Sequence, residues 1–225
     1  GIVIDDLKKY DVNIAYVTPS HQFPTGAIMS ISRRTELLNW ANENPDRYIV
    51  EDDYDSEFKY TGRPIPALKA NDINDKVIYL GSFSKSISPA IRVSYLVLPK
   101  ALLNIYQREL PYFICPVPTL NQKILYRFIK DGYFVKHINK MRTLYKKKRE
   151  FLVNTIKAYS SKILNKEIQI QGADAGLHMV IKLTQKINEK LFLNECLENS
   201  LKLYSLEEYN IEEIHRENSY FLLGY

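Results

Sequence analysis

The segment Ser82-Phe83-Ser84-Lys85-Ser86-Ile87-Ser88-Pro89-Ala90-Ile91-Arg92 sets one lysine among hydroxyls, seven residues before an arginine. A lysine amine that sheds its proton attacks an aldehyde, and hydroxyls beside a guanidinium suit a phosphate. One cofactor carries both groups, pyridoxal 5'-phosphate. Its pyridine nitrogen needs a carboxylate, because the protonated ring draws electrons from the reacting carbon. The acidic run Glu51-Asp52-Asp53-Tyr54-Asp55 offers one in Asp52, with Tyr54 two residues on as a hydroxyl for the phenolate oxygen. Ser82, Ser84 and Arg92 then form the phosphate side and Lys85 the covalent anchor. Each of these residue types alone is usually a solvated surface group or a turn residue. Their joint spacing, at the ends of two apolar runs, is what points to chemistry.

Those runs are the elements that must position them. Residues 13–18, 47–51, 76–81 and 93–98 read as four strands, with a helix between the first two that Ser30 or Ser32 caps and Asn44-Pro45 stops. Strands alternating with helices predict a largely parallel sheet, whose carboxyl ends present functional groups. The third and fourth strands are too close for a helical crossover, so they are expected to pair antiparallel. Beyond Pro99 the pattern turns helical, through Gln107 and then from Leu120 to about Ser160. Residues 167–171 and 178–182 read as a hairpin around the turn from Gly172 to Gly176. A helix over 189–199 and short strands near Leu203 and 221–223 complete a small α+β unit. The expected division is 1–118, the carboxyl-terminal part of a cofactor-binding domain, and 119–225, linking helices and a small carboxyl-terminal domain.

Composition bounds the rest. The apolar fraction of 45% and charged fraction of 25% argue for a packed core over 225 residues. No run nears the roughly 18 apolar residues of a membrane span. The net charge of +5 is modest, and the one basic run, Lys146-Lys147-Lys148-Arg149, falls on a helix as a solvated face. Cys115 and Cys196 are too few for a disulfide framework and read as buried thiols. His21, His137, His178 and His215 have no metal-ligand spacing, so no metal is expected. The start lacks a signal-peptide pattern and reads as part of a longer, cytoplasmic chain.

Four segments carry a resemblance: Val17-Thr18-Pro19-Ser20-His21-Gln22-Phe23-Pro24-Thr25-Gly26, Glu51-Asp52-Asp53-Tyr54-Asp55-Ser56-Glu57-Phe58, Gly62-Arg63-Pro64-Ile65-Pro66-Ala67-Leu68 and the lysine segment. They resemble the MocR/GabR group of bacterial regulators, in which a GntR-type winged helix precedes a domain like fold-type I aminotransferases. The resemblance is strongest over residues 10–100. It implies an α/β fold, part of the large domain of a fold-type I pyridoxal-phosphate-dependent transferase followed by a small α+β domain. It also implies Lys85 as the Schiff-base lysine, Asp52 and Tyr54 as partners of the ring, and Ser82, Ser84 and Arg92 as phosphate ligands. A homodimer, and DNA contacts made only through an upstream domain outside this chain, follow from the same likeness.

Two departures separate the chain from ordinary aminotransferases. Phe23 stands where they carry the asparagine of Asn-Pro-Thr-Gly, and Leu222-Leu223-Gly224-Tyr225 stands where an arginine clamps the substrate carboxylate. Arg216 is the nearest replacement for that clamp. The favoured expectation is an effector domain that senses an amino compound by imine exchange at Lys85. The alternative is a true class I/II aminotransferase passing an amino group between an amino acid and a 2-oxo acid. Ser82-x-x-Lys85 also matches the nucleophile motif of penicillin-interacting enzymes, but Ser-Asp-Asn and Lys-Thr-Gly are missing.

Overall fold

The computed structural model describes residues 2–163, 168–211 and 217–225. It is built on two four-stranded sheets. The first holds β1 (Ile14–Val17), β2 (Tyr48–Asp53), β3 (Val77–Ser82) and β4 (Ser94–Val97) in that order. The first three run parallel, and β4 returns antiparallel to β3 with Ser82 opposite Ser94. The expected reversal is observed, because only eleven residues separate β3 from β4 and no covering helix can form.

Alternation along β1 and β2 sorts the sheet into faces. Ala15, Val17, Ile49 and Glu51 are buried beneath α2 (Ile31–Asn42), whereas Tyr16 and Asp52 lie on the opposite face. The core of this layer joins Leu37, Trp40 and Ala41 of α2 to Ala15, Val17, Ile49, Leu68 and Val77, with Ile4 from α1 (Ile4–Lys9) closing one end. Ser30 caps α2 by accepting from the Arg33 backbone N–H at 3.3 Å. Of the two candidate caps, Ser30 is the one used.

The lysine segment is more ordered than a turn. Ser82 caps a single helical turn, α3 (Phe83–Ser86), accepting from the Ser84 N–H at 3.1 Å, and Ser88 caps a following 3-10 turn. Arg92 sits at its end in the left-handed region, φ 49°. The Ser-x-x-Lys motif therefore does open a helical turn, although its companion motifs are missing.

The helical middle is three helices: α4 (Lys100–Glu109), α5 (Thr119–Lys130) and α6 (Tyr133–Ile163). The helical stretch expected from Leu120 to about Ser160 is observed as α5 and α6, which part at Asp131-Gly132, where Gly132 takes φ 77°. The second sheet runs in the order β5 (Ile168–Gln171), β6 (His178–Leu183), β8 (Ser219–Gly224), β7 (Tyr204–Ser205), flanked by α7 (Glu189–Glu198). The β5–β6 hairpin forms with Ile168 opposite Leu183. Cys115 is exposed and Cys196 half-buried, which corrects the expectation of two buried thiols.

Segment 58–61 and the hairpin turn 172–176 join the two sheets. Gly176 N–H donates to the Phe58 carbonyl at 2.7 Å and Tyr60 N–H to the Asp174 carbonyl at 3.0 Å. The hydroxyls of Tyr60 and Tyr225 both donate to the Gly176 carbonyl. From α6, Arg142 donates to the Glu57 carbonyl and Arg149 to the Ala173 carbonyl, so one helix holds both sides of the joint.

Candidate functional site

Parallel pairing brings the carboxyl ends of β1, β2 and β3 to one edge, with Val17 opposite Glu51 and Asp53 opposite Gly81. The residues after each strand therefore converge there. A cavity of about 940 Å³ opens at this edge, lined among others by Tyr16, Phe23, Asp52, Tyr54, Lys85 and His178. Its size suits a small ligand or cofactor. Three of the residues singled out by sequence, Asp52, Tyr54 and Lys85, share its wall. Ser82, Ser84 and Arg92 are not among its lining residues, and Arg216 lies outside the described residues.

Asp52 is half-buried at the end of β2 and accepts a 2.5 Å hydrogen bond from the Tyr16 hydroxyl on Oδ2. Burial and this carboxylate push the Tyr16 hydroxyl up to about 12, so it stays a donor at neutral pH. Tyr54 donates to the His21 carbonyl at 2.7 Å. Its hydroxyl is also held far above the ordinary tyrosine value, first by burial and then by Asp55, Asp52 and Asp53. Lys85 is exposed on the one-turn helix α3.

Behind this wall, Arg34 of α2 is buried and donates to three carbonyls, Pro19 at 2.9 Å, Met29 at 3.1 Å and Pro66 at 2.9 Å. Glu51, wholly buried, lies 3.8 Å from Arg34 and accepts the backbone N–H groups of Leu68 and Lys69. Burial raises Glu51 and lowers Arg34, and each counters the shift in the other. Together they fix the loop from Pro19 to Met29 that roofs the cavity. Sequence reading missed Arg34, because a lone arginine in an amphipathic helix pattern carries no local mark of burial.

A second set was missed because its members are far apart in the chain. His21, Asp55 and His178 are all buried, and one ring nitrogen from each histidine and a carboxylate oxygen of Asp55 lie within 4.8 Å of one another. Sequence spacing sets these histidines apart, yet two of the four meet, 157 positions apart, at the joint between the sheets. His21 Nδ1 lies 2.9 Å from Asp55 Oδ2 and Nε2 lies 3.1 Å from the Gly172 carbonyl. The His178 ring stands 4.2 Å from that of His21, with Phe23 edge-on to it. Burial, then the charges of His21 and Lys85, lower His178 to about 4, so it is neutral.

The donor set suits pyridoxal 5'-phosphate. An amine, a carboxylate and a tyrosine hydroxyl held in its donor form meet in one cavity, and Tyr16 engages only Oδ2 of Asp52.

Comparison with known proteins gives a consistent result. The family described as aminotransferase class I and II matches residues 4–213. The uncharacterized HTH-type transcriptional regulator YdeL of Bacillus subtilis (strain 168) is 41% identical over 204 residues, covering 91% of this chain and 43% of that protein. The probable rhizopine catabolism regulatory protein MocR of Rhizobium meliloti is 34% identical over 191 residues, 85% of this chain and 38% of that protein. The crystal structure of kynurenine aminotransferase from Pyrococcus horikoshii superposes with a TM-score of 0.81 at 25% identity, over 98% of this chain and 53% of that one. The chain spans less than half the length of these curated relatives.

Proposed function

The chain belongs to the aminotransferase class I and II family, and from that premise we propose that it is the effector-binding part of a bacterial transcriptional regulator of the MocR type. The observation that carries this reading is the meeting of Asp52, Tyr54 and Lys85 on one cavity wall at the carboxyl edge of the sheet. The likeness to HTH-type regulators over most of the chain favours sensing over production. Pyridoxal 5'-phosphate, when bound, supplies an aldehyde that exchanges amines and a ring that withdraws electrons.

In this reading the Lys85 amine anchors the cofactor and yields its place to an amino compound. Asp52 would face the pyridine nitrogen, with the Tyr16 hydroxyl donating to its Oδ2. Tyr54 would meet the phenolate oxygen with the hydroxyl that now donates to the His21 carbonyl. Ser82, Ser84 and Arg92 take the phosphate side, and Arg216 the effector's carboxylate. Residues 1–118 belong to the cofactor-binding domain and 119–225 to the linking helices and small domain. The complete protein is a homodimer that reaches DNA through an upstream helix-turn-helix portion. A second reading, a working aminotransferase, draws on the structural likeness to kynurenine aminotransferase.

Adding pyridoxal 5'-phosphate to the full-length protein is expected to raise a visible absorption band that borohydride reduction fixes to Lys85. Lys85→Ala should abolish band and labelling, and an unchanged band in that variant would refute the assignment. Turnover of an amino acid with a 2-oxo acid at ordinary enzymatic rates, roughly 1–1000 per second, would favour the second reading.

A further inference from the structure

The His21 ring meets acceptors on both sides. Its Nε2 faces the Gly172 carbonyl at 3.1 Å, and a carbonyl only accepts, so Nε2 carries hydrogen. Its Nδ1 faces Asp55 Oδ2 at 2.9 Å. A bare imidazole nitrogen and a bare carboxylate oxygen would set lone pair against lone pair. A proton therefore lies between them, carried by His21 or by Asp55. Both side chains are almost wholly buried, at 0% and 2% exposure, so no solvent can replace that bond.

The His21 ring links the two halves of the chain, holding Asp55 of the first half through Nδ1 and the Gly172 carbonyl of the second through Nε2. His21 is in the loop that roofs the cavity, and Asp55 follows Tyr54 directly. Gly172 and Gly176 belong to the hairpin turn of the second sheet. A Cβ at Gly176 would collide with the His21 ring and the Asp55 carboxylate, and one at Gly172 would stand 2.7 Å from the Gly26 Cα. The same His21 accepts the Tyr54 hydroxyl on its backbone carbonyl at 2.7 Å. The path from hairpin turn to cavity is thus Gly172 carbonyl, His21 ring, His21 carbonyl and Tyr54 hydroxyl.

We propose that His21 is a positioning residue, which sets Tyr54 in the cofactor cavity according to the placement of the carboxyl-terminal hairpin, through one buried proton shared with Asp55. This rests on the reading of Tyr54 as a cofactor partner. The titratable and charged groups around the pair are Asp53 and Tyr54 at the end of β2, Glu57 and Tyr60 just beyond it, and His178 and Tyr225 from the second sheet, with Lys85 of α3 acting on His178 and Arg149 of α6 on Tyr225. His178 is neutral, so its ring sets no second positive charge beside His21. Burial raises Asp55, in keeping with a carboxyl that shares a proton.

The test titrates pyridoxal 5'-phosphate into the full-length protein and follows the affinity, wavelength and pH midpoint of the visible band. His21→Gln and Asp55→Asn should each weaken binding about tenfold and move the pH midpoint in the direction that Tyr54→Phe moves it. Tyr54→Phe combined with His21→Gln should lose no more than Tyr54→Phe alone. If the single variants lower only thermal stability, or if the effects of His21→Gln and Tyr54→Phe multiply, the proposal is wrong. Should His21→Gln fail to fold, Asp55→Asn, which keeps its shape, decides by the same criteria. Lys85→Ala keeps the two questions apart: a band that survives it refutes the site itself, whereas a lost band with unaffected His21 variants refutes only the positioning role.

Discussion

Glu57 and His178, both buried or half-buried near the joint between the sheets, have opposite titration behaviour. Burial foremost, then Asp53 and Asp55, raises Glu57 to about 7 against an ordinary 4.5, with Arg142 countering. His178 is lowered to about 4 from 6.5. Between pH 4.5 and 7 the folded state holds more of Glu57's proton than the unfolded chain, so this residue's contribution is lost as pH rises. Between 4 and 6.5 the unfolded chain holds more of His178's proton, so this contribution is lost as pH falls. The two oppose each other where their windows overlap. Glu57→Gln is therefore expected to make stability fall more steeply on acidification below pH 6.5, and His178→Leu to reverse the slope. Each change should be on the order of 1–3 kcal/mol across its window. Urea denaturation at pH 5, 6, 7 and 8 measures both, and parallel curves for the variants and the parent would contradict the account.

Among the elements, the hairpin turn 172–176 and helix α2 do the most to shape the cavity. Gly176 sits at φ 69° with no room for a side chain. Gly176→Ala should cost about 2–4 kcal/mol through backbone strain and collision with His21 and Asp55. The loss should appear as a lower urea midpoint, and a neutral outcome would mean the turn does not pack as described. Arg34→Met in α2 leaves Glu51 buried without its cation and three carbonyls without their donor. A loss of about 3–5 kcal/mol is expected, with Glu51→Gln in the same background recovering part of it. A double variant no better than the single one would deny the ion pair a role. Both elements were recognisable in the chain, the hairpin from its alternation and glycines, the helix from its cap and apolar face. Their contacts were not, since burial of Arg34 and the docking of Gly172 on Gly26 depend on segments that are distant in sequence.

For the molecule as a whole, ligand linkage supplies a further check: pyridoxal 5'-phosphate at one hundred times its dissociation constant should stabilise the full-length protein by about 2.7 kcal/mol. A thermal shift present in the parent and missing in Lys85→Ala is the expected result, and an equal shift in both would place the cofactor elsewhere. Residue order alone determined the strands, the reversal of β4 and the gathering of Asp52, Tyr54 and Lys85 at one sheet edge. Those follow from local periodicity and from the rule that parallel strands share their carboxyl ends. Only the tertiary structure decided that Tyr16 engages Asp52 and that His21, Asp55 and His178 form a buried cluster. Such contacts join residues from 34 to 157 positions apart, and no local pattern encodes them, because they arise when strands pair and the two sheets meet, and buried polar groups must find partners.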